Sequence, residues 1–192
     1  MRKILPLLAA SMFVLLFSSC GYNKMTELNE GVKSSWAQVE NVYQRRADLI
    51  PNLVNTVKGY AEHEQETLTG VVDARSKATS TTIDANNLNP ETMQQFQQAQ
   101  DGLSSALSKL MVVVERYPDL KANQNFADLQ VQLEGTENRI TVERKNFNDA
   151  TNNYNTYIKK FPQVIYAGWF NFKELPYFKA AEGSDKAPEV QF

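Results

Sequence analysis

From Phe126 to Phe161, large apolar side chains recur at spacings of three, four and seven: Phe126, Leu129, Leu133, Ile140, Phe147, Tyr154, Ile158 and Phe161. That pattern is one face of an α-helix. Roughly 35 residues at about 1.5 Å each give a rod about 50 Å long. A helix so long and so one-sided has to bury its stripe against partners along its whole length. The upstream chain must supply them, and this requirement points to an all-α fold.

Three upstream stretches carry matching stripes. The first runs from Met25 through Leu28, Val32, Trp36, Val39, Val42 and Tyr43 to Leu49 and Ile50. Pro51 follows, and a proline inside a helix costs about 3 kcal/mol. The apolar series nevertheless continues through Leu53, Val54, Val57, Leu68 and Val71. Either one long helix passes through Pro51, or a turn there starts a second helix. A single rod from Met25 to Ala78 would reach about 80 Å, so two helices with the break at Pro51 are expected. Thr79 to Asn89 reads as an exposed polar loop. Asn89-Pro90-Glu91 is a strong helix start. The third stripe is Met93, Phe96, Leu103, Leu107, Leu110, Val114 and Tyr117, ended by Pro118. Asn125 is placed to cap the last helix, and Pro162 to stop it.

The first residues read as an address. Arg2 and Lys3 precede an apolar run from Ile4 to Phe17, then Ser18, Ser19 and the lone Cys20. Such an order marks a secretory signal peptide. The apolar run is short for the roughly 20 residues of a bilayer span. Small residues just ahead of this cysteine resemble a bacterial lipoprotein signal, in which the thiol is lipidated and residues 1–19 are removed. The alternative is an uncleaved signal anchor with an incidental Cys20. Both attach the chain to a membrane, facing the periplasm or the cell exterior. Residues 20–24 then form a lipidated tether, 25–161 the helical body, 162–178 an aromatic segment and 179–192 a flexible tail.

Chemistry is sparse. His63 is the single histidine, and Thr67 stands where a helical metalloprotease motif needs a second. No phosphate-binding, dinucleotide-binding or nucleophile-elbow glycine pattern occurs. No enzyme activity, metal or other cofactor is expected. With 20 Lys+Arg against 22 Asp+Glu and no basic block, no nucleic-acid footprint is expected either. Two features stand out. Arg46 falls on the first stripe, while Glu137 and Arg144 fall near the last. Charges near a core have to be paired, so Arg46 is expected to reach Glu137, with Asp48 or Asn138 completing the network. The opposing reading has both side chains stretching to the rim. The second feature is the aromatic segment Tyr166, Trp169, Phe170, Phe172, Tyr177 and Phe178, more apolar surface than a free tail exposes. It either caps the helical body, lies in a membrane interface, or docks a partner.

Several strings stand together: Arg45-Arg46-Ala47-Asp48-Leu49-Ile50-Pro51-Asn52-Leu53, Tyr117-Pro118-Asp119-Leu120, and Leu133-Glu134-Gly135-Thr136-Glu137-Asn138-Arg139-Ile140. With these strings the chain resembles the LemA family over about residues 21–178. The resemblance implies an antiparallel up-and-down four-helix bundle, membrane-tethered at its N-terminal end, with no known enzymatic activity. The role expected is an envelope interaction or scaffold module with a protein partner. The alternative is a lipid- or wall-associated structural protein without one.

Overall fold

The computed structural model describes the backbone of residues 4–179 and the side chains of residues 21–179. The side chains of residues 1–20 and all of residues 180–192 lie outside the described residues, and with them the expected signal peptide, the lipid attachment at Cys20 and the tail. Among the described residues six helices occur: α1 Ile4–Lys58, α2 Gln65–Ser80, α3 Pro90–Val114, α4 Pro118–Lys121, α5 Gln124–Lys159 and α6 Gln163–Trp169. No strand occurs among the described residues. From Gly21 to Lys179 no helix is long and apolar enough to cross a membrane.

α1 packs lengthwise on α5, and α2 packs on both α1 and α3. Trp36 meets Phe147 at 5.5 Å between ring centroids, and farther along α1, Arg46 meets Glu137. Numbers rise on α1 as they fall on α5, so the two are antiparallel. Phe96 lies against Trp36 and Gln100 against Arg46, so α3 runs with α1.

The helix break lies at Gly59–Glu64, not at Pro51. α1 passes through Pro51, and the reason is a substitution of hydrogen-bond donors. Pro51 has no N–H to give the Ala47 carbonyl one turn back. Arg75 Nε, from α2, donates to that carbonyl at 2.8 Å instead. The ring itself faces solvent, while Ala47, Ile50, Leu53 and Val57 stay buried on one stripe. α1 also continues back through Tyr22–Lys24, where the sequence suggests a tether.

Three smaller expectations are corrected. The loop 81–89 is not fully exposed: Ile83 and Leu88 are buried against Trp36 and its neighbours. Asn123, not Asn125, caps α5, its Oδ1 accepting from Phe126 N at 3.1 Å. Phe161 lies beyond the helix end and is 81% exposed, so the stripe closes at Ile158. The start of α3 matches its sequence signal: Asn89 and Thr92 exchange side chain-to-backbone bonds across Pro90, the first residue of the helix.

Candidate functional site

The core divides into two apolar clusters. One holds Trp36, Tyr43, Phe96, Ile140 and Phe147, and the other Ile50, Leu53, Leu103, Phe126 and Leu133. Arg46 stands at the divide on α1, Gln100 on α3 and Glu137 on α5. Arg46 is 2% exposed. Its Nη1 donates to Ser104 Oγ (2.9 Å) and Glu137 Oε2 (3.0 Å). Its Nη2 donates to the Gln100 carbonyl (3.2 Å) and Gln100 Oε1 (2.8 Å). The Gln100 amide then donates to the Ala78 carbonyl at 3.1 Å, near the C-terminal end of α2. One polar layer thus touches all four long helices.

Burial orders these contacts. Glu137 is 56% exposed, so water screens its share of the pair. Gln100 is buried and cannot be replaced by water as readily. The guanidinium does not stretch to the rim. It is held inside the layer by Gln100 and Ser104. Asp48 and Asn138 stay outside the layer: both are exposed, and Asp48 accepts from Gln44 one turn away (2.8 Å). Gln100 and Ser104 join the layer without having been singled out by the sequence reading. A signal is present, because Gln100 fills the gap in the third stripe between Phe96 and Leu103. A cleft of about 320 Å³ opens beside the layer, walled by Leu107, Met111 and Leu133.

Arg144 belongs to a second site. Residues 170–179 leave α6 and run back along the bundle as an extended strap. Asn171, at φ 58°, makes the reversal, with Phe172 N donating to the Ala167 carbonyl at 2.9 Å. A left-handed residue with that bond is a common helix ending, and asparagine tolerates it. Asn155 then pairs with both main-chain groups of Leu175: Nδ2 to O at 2.8 Å, and Leu175 N to Oδ1 at 2.9 Å. Asn148 does the same for Phe178 (3.2 and 2.9 Å). The spacing explains why both fit. Seven helical residues rise about 10.5 Å, and three extended residues span about 10 Å.

Phe178 is 5% exposed and stands between Trp36 and Phe147, with ring centroids 5.9 and 5.4 Å away. The Arg144 guanidinium covers its ring at 4.7 Å and donates to the Lys179 carbonyl at 2.9 Å. Tyr154 OH donates to the Lys173 carbonyl at 3.0 Å, and burial pushes its pKa up to about 12. Of the aromatic segment, Phe178 is therefore in the core, while Tyr166 and Phe172 are half-buried. Trp169 (74%), Phe170 and Tyr177 remain exposed. The strap lies along α5, whereas Tyr166 and Phe170 sit beside Gly21 and Tyr22 at the start of the described part of α1.

Neither place assembles a reacting set. His63 is exposed in the Gly59–Glu64 turn. Among the described residues, no three His, Cys, Asp or Glu side chains group as metal ligands do.

A model of the LemA family matches residues 35–192. The magnetosome protein MamQ 2 of Paramagnetospirillum magneticum is 25% identical over 185 residues, covering 85% of this chain and 66% of that protein. The magnetosome protein MamQ of Magnetospirillum gryphiswaldense is similar to the same extent. Protein LemA of Metamycoplasma hominis is 23% identical over 176 residues, covering 92% of this chain and 76% of its own length. The chain thus spans just under two thirds of the magnetosome relatives it matches.

Proposed function

This chain belongs to the LemA family, and from that premise we propose that it is a membrane-tethered, non-enzymatic interaction module of the cell envelope. In this reading residues 1–19 are a signal peptide and Cys20 carries the lipid. α1, α2, α3 and α5 form an antiparallel four-helix bundle.

One observation carries the reading. The α5 face holds this chain's own extended segment by its main chain. Asn148 and Asn155 bond only main-chain groups of Phe178 and Leu175, and one aromatic pocket takes the Phe178 ring. That is the chemistry of a peptide-holding scaffold. The relatives named as magnetosome proteins support a membrane-associated role.

Crosslinking in whole cells, followed by mass spectrometry, tests the module reading. A stoichiometric envelope protein attached to this chain is the expected result. Its absence favours the structural alternative, a lipid- or wall-associated protein without a specific partner. Mass analysis of the mature N-terminus tests lipidation of Cys20 separately.

A further inference from the structure

We propose that the end of the bundle bearing Gly21 is a membrane-seating surface. There Tyr22, Phe161, Val164, Ile165, Trp169 and Phe170 lie in the interfacial zone of a phospholipid bilayer. The proposal rests on the reading that the chain is held to a membrane at residue 20.

Among the described residues, twelve large hydrophobic side chains are exposed, and these six are half of them. The other six are Tyr60, Val72, Val112, Val131, Val142 and Tyr177, spread along the rest of the chain. Isolated exposed apolar residues need no explanation, but a cluster does. Its position identifies the occupant. α6 packs against α1 where the chain emerges from the apolar run, and a Cβ on Gly21 would stand 3.9 Å from the Tyr166 ring. Tyr22 meets Phe170 edge-on at 4.9 Å and Phe172 at 5.7 Å. No linker separates Cys20 from this cluster, since adjacent Cα atoms are about 3.8 Å apart. A lipidated thiol and an uncleaved anchor place the bilayer at the same end.

The residue types match that zone. Trp and Tyr favour the headgroup level. Lys160 and Lys173 flank the cluster and make no ion pair among the described residues. Their stems can lie along the apolar zone with the ammonium among phosphates. A bundle seated this way stands on the membrane and presents its polar sides and the strap outward.

The chain has two tryptophans, which supply the test. Trp36 is fully buried and Trp169 is exposed. The full chain is reconstituted into phosphatidylethanolamine–phosphatidylglycerol vesicles whose acyl chains carry bromine near the carbonyl end. Flotation first reports attachment. Subtracting the emission of Trp169→Phe isolates Trp169, and that exposed position can change without disturbing the core. The Trp169 emission is expected to fall about two-fold or more against unbrominated vesicles, as for an interfacial indole, and to resist aqueous iodide, while Trp36 is unaffected. A chain that floats while Trp169 stays open to iodide overturns the seating and leaves the anchor standing. Trp169 shielded from iodide but untouched by bromine means that protein covers it, which also overturns the seating. A chain that does not float removes the anchor reading and the seating together.

Discussion

Replacing Arg75 by methionine should destabilise the fold far more in the parent chain than in a chain that also carries Pro51→Ala. Arg75 Nε is the donor that reaches the Ala47 carbonyl, which Pro51 cannot serve. Ala47 is 3% exposed, so this carbonyl has little access to water. A buried carbonyl left without a donor costs about 1–3 kcal/mol. The methionine side chain retains much of the arginine stem's packing, so the loss is mainly that hydrogen bond. With alanine in place of Pro51, the backbone N–H there bonds to the same carbonyl as in any helix, and Arg75 becomes dispensable. The coupling energy between the two substitutions should be about 1–2 kcal/mol, above the few tenths expected of independent sites. Urea unfolding of the four chains in mild detergent, followed by circular dichroism, measures it. Equal costs of Arg75→Met in both backgrounds would refute the donor substitution and leave the unbroken passage of α1 through Pro51 without this cause.

The polar layer predicts a ranking. Gln100→Leu removes the buried side-chain acceptor of Arg46 Nη2 and the donor to the Ala78 carbonyl and should cost about 2–4 kcal/mol, whereas Glu137→Leu, at a half-exposed position, should cost about 1 or less; equal values in urea unfolding contradict it. Asn155→Ala removes both main-chain bonds to Leu175, so hydrogen exchange at the Leu175 amide should accelerate about ten-fold or more, with little change on α3. Phe178→Ala empties the pocket between Trp36 and Phe147 and should cost about 3–5 kcal/mol, with a red shift of Trp36 emission. Tyr154 supplies a pH test. Its folded pKa lies above the unfolded value, so its contribution is complete below about pH 10 and is lost as pH rises through about 12. Absorbance at 295 nm should show one tyrosine ionising last, together with release of the strap.

The apolar stripes, the Asn89-Pro90 start, the family and the pairing of Arg46 with Glu137 are all readable in the chain. Each rests on spacing within one helix, or on the rule that a charge placed on an apolar stripe must find an opposite charge. Position within a stripe also explains the near misses. Gln100 sits at a seam position, but a neutral polar side chain there raises no alarm of the kind a charge does. Asn148 and Asn155 follow Phe147 and Tyr154 at the same heptad interval, one position off the stripe.

What sequence alone determined here is which face each helix buries, because a 3.6-residue period is a local property that survives without any partner. What only the tertiary structure decided is where the backbone's unpaired groups found donors and acceptors. The Ala47 carbonyl is served from α2, the Ala78 carbonyl from α3, and the strap's amides from α5. Those partners lie 20 to 30 residues away along the chain, and such matches depend on distances set by helix packing, which no local pattern encodes.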